Sequence, residues 1–323
     1  MTVQPATNVS DGETCADLSI VAILFTSRAH LVRCLEGLAA QRTDARIEII
    51  VPHDGRLQDE AALRERFPLL RPLRVPGTGL SPAALRAAGV AASGAPIIAL
   101  LEDHCVPVPD WASSLLRAHR NPDAGVGGPV DKGMPPGRDR DTILNWAVYL
   151  TDYSRYMPPM PEGPAHGLSD CNAAYKRSAL DAIRAVWQDE FHENLVNGAL
   201  ARAGATFRLE PGMIVNEQRD LSLGYALRDR FTFGRLFGSS RVADASLARR
   251  LVWAAAALLM PPVLALRVAQ NLQQRRRHRA QFFRCLPMLL LVTGAWMLGE
   301  AAGYLTGRAH AALAASPSLE GSA

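Results

Sequence analysis

Two carboxylates and an imidazole directly follow an apolar run near the middle of the chain. The run covers residues 97–101, and the polar side chains are Glu102, Asp103 and His104. A short apolar run of this kind is typical of a strand buried on both faces, as in a parallel sheet. In open α/β sheets, ligands bind beyond the carboxyl ends of the strands. Acidic side chains at that position can hold a divalent cation, which neutralises phosphate oxygens.

Polar groups also end two earlier apolar runs, at residues 18–25 and 47–51. Those after the first run could contact a ligand or cap the next helix. Those after the second run precede a glycine, so a simple turn is the competing interpretation, and we favour a place in the site. The four side chains are Ser27, Arg28, His53 and Asp54.

Apolar runs alternate with helical patterns through the first part of the chain. Ser81 and Pro82 are the predicted N-cap and first residue of a helix that ends near Gly94. The other predicted elements are helices at 31–41 and 57–67 and strands at 18–25, 47–51, 69–75 and 97–101. This order predicts an α/β fold with a mostly parallel sheet.

The segment after the central strand is predicted to leave the sheet. Pro107 and Pro109 end the strand because proline cannot donate to a ladder. Asp110 would then cap a helix that begins near Trp111. Residues 131–165 are rich in proline, glycine and aromatic residues, so we expect a partly ordered loop over the site.

Composition excludes several classes of protein. The chain has 323 residues, of which 48% are hydrophobic and 20% charged, as is typical of a folded protein. A formal charge of +4 is too small to indicate nucleic-acid binding. The five cysteines are scattered without a CxxC pair, so we expect no disulfide framework and favour a reducing, cytoplasmic location for the main domain. We assign His30 and His119 to packing or solvent.

The C-terminal third differs in character from the rest of the chain. A basic amphipathic segment at 221–248 is typical of a helix on a membrane surface. The apolar segment 251–266 is short and contains Pro261-Pro262, which favours a bent, re-entrant or interfacial helix. Residues 285–306 form a largely apolar segment long enough to cross about 30 Å of hydrocarbon.

These features predict the organisation of the chain along its length. The arginine-rich cluster at 275–279 favours the cytoplasmic side of a membrane, and we place the main domain on the same side. The predicted parts are a disordered leader (1–17), the main domain (18–220), the amphipathic segment (221–248), membrane-associated helices (249–310) and a disordered tail (311–323).

Four local patterns resemble the family 2 glycosyltransferases, inverting enzymes of the GT-A fold that use nucleotide-diphosphate sugars. They are the strand and helix at 18–41, the strand that ends in His53-Asp54-Gly55, the sequence Arg86-Ala-Ala-Gly89 and the sequence Leu101-Glu-Asp-His104. The last falls on the family's Asp-x-Asp region. The resemblance covers roughly residues 18–240, and the apolar tail is similar to that of bacterial membrane-bound members.

The resemblance implies a donor site and a metal site. Asp103 and His104 would hold a divalent metal, Mn²⁺ or Mg²⁺, and Arg86 would face the diphosphate. Because His104 replaces an aspartate, a Mn²⁺-like preference, weak use of metal and lost activity all stay open. The residues that would contact the donor are Ser27, Arg28, His53, Asp54, Arg86, Glu102 and Asp103.

The resemblance also implies a catalytic base. Glu193 precedes Gly204 by the eleven residues that separate the family's base from a glycine. As a carboxylate it could deprotonate an acceptor hydroxyl while the sugar inverts. Asp189 and Glu190 are near enough in sequence to take this role instead. The arginines that could contact phosphate, in the donor or in a lipid-linked acceptor, are Arg228, Arg230 and Arg235.

We therefore expect an inverting, membrane-associated glycosyltransferase. Its donor would be a nucleotide-diphosphate sugar, and its acceptor a cytoplasmic glycan that could be lipid-linked and belong to the cell envelope. Two alternatives stay open. The altered His53 and His104 also fit a non-catalytic membrane scaffold that retains the fold, and a nucleotidyltransferase would likewise use an α/β nucleotide domain with a metal.

Overall fold

The computed structural model describes residues 16–169, 171–242 and 245–307. The predicted leader lies outside the described residues except for Ala16 and Asp17. The predicted tail at 311–323 lies outside them entirely. Asp17 belongs to the folded part, because its carboxylate accepts hydrogen bonds from Arg46.

Four parallel strands form the first half of the main sheet, and helices connect them, as predicted. In chain order they are β1 (Leu18–Ile23), α1 (Arg28–Ala39), β2 (Ile47–His53), α2 (Glu60–Arg66), β3 (Leu70–Arg74), α3 (Pro82–Ala92) and β4 (Ile97–Glu102). β1 lies between β2 and β4, and every residue of β1 is buried. Ser81 Oγ accepts the Ala84 N–H and Pro82 begins α3, which confirms the predicted helix start.

Shorter elements complete the main sheet and add a small second one. They are β5 (Cys105–Pro107), α4 (Trp111–Ala118), β6 (Gly125–Gly127), β7 (Val130–Lys132), α5 (Ile143–Tyr153), β8 (Gly163–Ala165), β9 (Asn172–Lys176), α6 (Arg177–Ala182), α7 (Arg184–Trp187), α8 (Glu193–Arg202), β10 (Phe207–Leu209) and β11 (Val215–Glu217). The main sheet has the order β3-β2-β1-β4-β9-β6-β10-β8, and the small sheet β5-β11-β7. Only β8 and β9 oppose the other described strands of the main sheet, so it is mostly parallel.

Three predictions for the segment after β4 are wrong. β4 ends at Glu102 rather than at the prolines, and Pro107 closes the separate strand β5. Asp110 occupies the N-cap position of α4, which begins at Trp111 as predicted, but its side chain bonds Arg42 instead of the helix. Residues 131–165 are not a loop throughout, because they contain α5. Its buried face is mostly apolar, and the flanking segments rich in proline and glycine make this helical pattern hard to recognise in the sequence.

Four helices follow the sheets. They are α9 (Leu223–Ser240), α10 (Leu247–Ala257), α11 (Met260–Arg275) and α12 (Arg279–Thr306). Among the described helices, α12 alone is long and apolar enough to cross a membrane, and 33% of its most apolar stretch is buried inside the protein. α10 and α11 meet at an angle of 48° and reach such a length only together. The bend agrees with the prediction for the segment that contains the double proline.

Close backbone contact joins α9 to α12. A Cβ atom at any of four glycines in the contact would overlap backbone atoms of the facing helix. Phe231 faces Gly299, and Ser239 farther along α9 faces Gly303, so the two helices run in parallel. Only the side of α9 away from α12 is left for the predicted membrane surface contact. The four glycines are Gly234, Gly238, Gly299 and Gly303.

Candidate active site

Asp103 holds the loop after β1 against the end of β4. Its Oδ2 accepts the backbone N–H groups of Thr26 at 2.7 Å and Ser27 at 3.0 Å. The side chain is fully buried, and hydrogen bonds to an ionised carboxylate are stronger than neutral ones. One oxygen of this carboxylate thus holds the loop, while Oδ1 has no hydrogen-bond partner among the described residues. The metal role predicted for Asp103 stays a prediction.

Glu102 lies between a cation and an imidazole. Arg86 of α3 forms an ion pair with Oε1 of Glu102. His104 Nε2 lies 3.3 Å from Oε2 of the same carboxylate. All three side chains are buried. A buried charge is stable only when it is paired and hydrogen-bonded, so this arrangement fixes the Arg86 guanidinium beside the end of β4.

Two donors near His104 could bind a metal, but they do not form a complete metal site. Glu102 Oε2 and His104 Nε2 face each other, and His104 Nε2 has no hydrogen-bond partner among the described residues. Asp103 Oδ1 lies 3.5 Å from the other ring nitrogen. Within the described ranges, no group of three or more His, Cys, Asp or Glu side chains is placed to hold a metal ion. The pair therefore fits a divalent cation only when substrate oxygens complete its coordination.

The two candidate residues at the end of β2 are buried and paired. Asp54 accepts hydrogen bonds from Arg56 Nε at 2.8 Å and from the Leu80 N–H at 3.1 Å. Burial alone would raise the pKa of Asp54, but the hydrogen bond and charge of Arg56 hold it below the ordinary value. Burial lowers the pKa of His53, whose Nε2 lies 3.2 Å from Glu60 Oε1. Asp54 thus joins the loops after β2 and β3, and His53 faces α2.

An open cleft of about 130 Å³ lies between the loops after β1 and β2. Ser27 and Arg28, both predicted site residues, line this cleft. Arg56 lines it as well, and no sequence pattern singles this arginine out except its position two residues after Asp54. Guanidinium groups beside a cleft suit an anionic ligand. The apolar part of the lining includes Leu24, Phe25 and Leu57.

His30 belongs to this edge of the sheet although its spacing does not indicate a site. Its Nδ1 lies 2.8 Å from Ser27 Oγ, and its Nε2 lies 3.0 Å from the carbonyl oxygen of Gln218. Burial lowers the pKa of the ring. A neutral imidazole therefore joins the loop after β1 to a residue that follows β11, 188 positions later in the chain.

Contacts of the preceding residues bring Glu193 to the same edge. The Phe191 N–H donates to the Ala83 carbonyl at 2.9 Å, and Ser81 Oγ donates to Glu190 Oε1 at 2.7 Å. Ala83 and Ser81 lie at the start of α3, which follows the carboxyl end of β3. Glu193, at the start of α8, is thus on the side of the sheet where the cleft opens.

Glu190, an alternative base, is held by two hydrogen bonds. Hydrogen bonds from Ser81 and His192 lower the pKa of its carboxyl group. A carboxylate with a lowered pKa is a poor proton acceptor near neutral pH. Glu193 begins α8 three residues later and its side chain is half-buried. Glu193 therefore stays the predicted base, with Glu190 as an alternative on the same side of the sheet.

A buried network of charges links the small sheet to α9. Lys132 of β7 lies 3.2 Å from Glu217 of β11, and the other oxygen of Glu217 accepts a hydrogen bond from Arg219 at 2.7 Å. Arg219 and Arg230 of α9 both contact Asp152 of α5, at 3.0 Å and 2.7 Å. Arg230, a predicted phosphate ligand, therefore pairs with a partly buried carboxylate. Such pairs give no sequence signal because their partners lie on separate segments.

A smaller cavity of about 50 Å³ separates α9 from the loop after β1. Phe25 and Thr26 line it from the loop, and Tyr225 and Arg230 line it from α9. This cavity adjoins the Thr26 backbone that Asp103 holds, so α9 begins close to the end of β4. The other arginines predicted to contact phosphate, one exposed and one at the α12 contact, are Arg228 and Arg235.

The fold and the cleft define a class of protein, the α/β proteins that bind ligands at the carboxyl ends of parallel strands. Residues 19–184, more than half of the chain, match the model of glycosyl transferase family 2. The chain belongs to this family and is a glycosyltransferase with the GT-A fold. This result favours an enzyme over the scaffold and over the nucleotidyltransferase. A search of curated proteins found no match.

Proposed function

We propose that the cleft between the loops after β1 and β2 binds a nucleotide-diphosphate sugar, and that the protein transfers the sugar with inversion to a glycan. The observation that carries this proposal is the composition of the cleft. It combines apolar walls at Phe25 and Leu57 with the guanidinium groups of Arg28 and Arg56. A planar base requires apolar walls, and a diphosphate requires fixed cations.

Asp54 and His53 would act on the donor in different ways. Asp54 would act through Arg56, which it orients by its hydrogen bond and which lines the cleft. His53 would act through α2, because its ring contacts Glu60. Asp103 would order the backbone at Ser27, which lines the cleft.

Glu102 and His104 would hold the divalent cation, Mn²⁺ or Mg²⁺, together with oxygens of the donor diphosphate. When bound, such a cation neutralises charge on the departing diphosphate. Arg86 shares Glu102 and supplies a second positive charge at the end of β4. A guanidinium held by an ion pair keeps its charge and orientation throughout the reaction.

Glu193 would serve as the general base. The proton of the acceptor hydroxyl passes to the Glu193 carboxylate as the acceptor oxygen attacks the anomeric carbon. The bond between that carbon and the diphosphate oxygen breaks on the opposite face, so the configuration inverts. Removal of a positioned base typically costs about 10²–10⁴ in rate.

The helices after the catalytic domain would present the acceptor at a membrane. Arg277, between α11 and α12, pairs with Asp131 at 3.2 Å and thereby ties these helices to the sheet domain. We place the domain on the cytoplasmic face of the cytoplasmic membrane, where a lipid-linked envelope glycan is a fitting acceptor. The apolar side chains on or between these helices that are more than half exposed include Leu251, Leu259, Leu266 and Phe283.

Calorimetric titration of the full-length protein in detergent tests the donor site. UDP and GDP are each added with Mn²⁺, with Mg²⁺ or with EDTA. We expect one nucleotide to bind, and Arg56→Gln to weaken it about tenfold through the loss of one charged contact. His104→Ala should weaken binding only when metal is present. The matched control is Arg42→Gln, an exposed arginine paired with Asp110 away from the cleft. Failure of both nucleotides to bind under all three conditions would contradict the proposed donor site.

A further inference from the structure

A cavity of about 380 Å³ lies among the C-terminal helices, apart from the sheet edge. Arg241, which follows α9, lines it together with residues of α10, α11 and α12. The proposed transferase activity makes no use of this cavity. The lining residues that matter below are Arg241, Trp253, Ala257, Met260, Glu300 and Tyr304.

The break between α10 and α11 makes room for the cavity. α10 ends at Ala257 and α11 begins at Met260, and both residues line the cavity. Pro261 and Pro262 occupy the first turn of α11, where prolines are tolerated but cannot continue a preceding helix. The two helices therefore meet at an angle of 48°. This bend directs the chain around the cavity, so α10 and α11 do not form one straight helix along α12.

The cavity is lined by one cation, Arg241, and one carboxylate, Glu300, and of the two only Arg241 is exposed. Glu300 is already hydrogen-bonded within its own helix, because Tyr304 Oη donates to one carboxylate oxygen at 2.7 Å and Trp296 Nε1 to the other at 3.1 Å. Arg241 is exposed, and its guanidinium lies 4.0 Å from the centre of the Phe237 ring. Arg249 adds a second cation near the Trp253 wall. A guanidinium matches the oxygens of phosphate with parallel hydrogen bonds.

The surroundings of the cavity match the headgroup level of a bilayer. Glu300 lies 21 residues after Arg279 along α12, which is about 32 Å at the helical rise and close to the thickness of a hydrocarbon core. Trp253 and Tyr304 line the cavity, and such aromatic residues are enriched at membrane interfaces. Leu258 and Leu259, between α10 and α11, are exposed by 58% and 65%. The cavity thus combines an exposed guanidinium with an apolar outer surface.

We propose that this cavity binds the phosphate of a membrane phospholipid through Arg241, with the acyl chains lying against the exposed leucines at the bend. The lipid would fill the space between α10, α11 and α12, and so stabilise the bent pair. A phosphate alone would satisfy Arg241 but not the apolar surface, and an uncharged lipid would satisfy only the apolar surface.

Thermal unfolding of the delipidated full-length protein in detergent tests this assignment. The probes are phosphatidylglycerol, diacylglycerol with the same chains, and inorganic phosphate. We expect phosphatidylglycerol to raise the melting temperature and the other two to leave it unchanged. In Arg241→Gln, about ten times more phosphatidylglycerol should be needed for the same rise in melting temperature. The matched control Arg267→Gln, an exposed arginine of α11 that does not line the cavity, should retain it.

Several outcomes would overturn the assignment. If phosphatidylglycerol raises the melting temperature of the unmodified protein and of Arg241→Gln equally, the guanidinium does not bind the lipid. Equal stabilisation by inorganic phosphate would identify a free-anion site, and equal stabilisation by diacylglycerol a purely apolar one. Should Arg241→Gln fail to fold, Ala257→Leu keeps every charge and fills the cavity, and a full lipid effect in that variant would refute the proposal.

Discussion

The carboxyl edge of the main sheet and the α9–α12 pair both join distant segments, but by opposite means. At the sheet edge, the Asp103 side chain accepts the N–H groups of Thr26 and Ser27, 77 and 76 residues away. At the helix pair, glycines such as Gly299 and Gly303 leave room for the facing backbone. One joint depends on charge and hydrogen bonds, and the other depends on the absence of side chains.

Because the two regions are held together differently, they should respond to different changes. Charged and hydrogen-bonded groups respond to protons, to salt and to an anionic ligand, whereas a contact between two backbones responds to added volume. Substitutions at the sheet edge should therefore alter activity and nucleotide binding. Substitutions at the helix pair should alter assembly of the C-terminal helices and leave the nucleotide cleft intact.

The largest effect is expected at the proposed base. Glu193→Gln keeps the size of the side chain and removes its basicity, so turnover should fall about 10²–10⁴-fold. Nucleotide affinity and the melting temperature should not change. Steady-state transfer assays measure this, with Glu65→Gln, an exposed carboxylate of α2, as the matched control. If Glu193→Gln turns over as fast as the unmodified protein, Glu193 is not the base.

The next effect belongs to the helix pair. Gly303→Leu would force a side chain against the backbone of Arg235 and Ser239, and should cost about 3 kcal/mol of unfolding free energy. Gly294→Leu, on the same helix, meets no described atom within 4 Å of its Cβ and serves as the control. Denaturant unfolding and nucleotide titration are measured on both variants. Equal destabilisation by the two would show that the close contact does not hold the pair together.

A smaller effect is expected where Asp103 orders the loop after β1. Asp103→Asn retains the shape but loses the charge that strengthens two hydrogen bonds, at a cost of about 2 kcal/mol. Nucleotide affinity should also fall, because Ser27 lines the cleft. Asp110→Asn changes an exposed carboxylate and is the control. Unchanged stability and unchanged nucleotide affinity in Asp103→Asn would contradict this role.

The smallest effect is the response of the sheet domain to acid. Burial, and secondly the charge of Lys176, lower the pKa of His119 to about 4. The unfolded chain binds this proton near pH 6.5, so stability falls between pH 6.5 and 4 and is constant below that range. At pH 5.5 the loss from this ring is about 1 kcal/mol relative to pH 7.5.

His119→Gln should remove that part of the pH dependence in denaturant unfolding, and the exposed His192→Gln should not. α9 and the part of α12 that packs on it contain no histidine, so the effect is confined to the sheet domain. An identical pH dependence in His119→Gln and in the unmodified protein would rule out a buried neutral ring at this position.

Local sequence determines much of the fold and part of the site. The apolar runs become β1, β2, β3 and β4, and Ser81 with Pro82 begins α3 as predicted. These features follow from interactions between residues close in sequence, such as side-chain periodicity and capping. Glu102 and His104 are identifiable for the same reason, because they directly follow a buried strand.

The tertiary structure decides what these residues contact. Only the folded chain brings Asp103 to the Thr26 backbone, His30 to Gln218, and the glycines of α12 to those of α9. It also conceals Arg230 in an ion pair with Asp152 and exposes Arg56 to the cleft. A sequence pattern records the type and spacing of neighbouring residues. Which group pairs with a buried charge, and which backbone packs against a glycine, depends on how the whole chain folds. The spacing of residues in the sequence does not give that information.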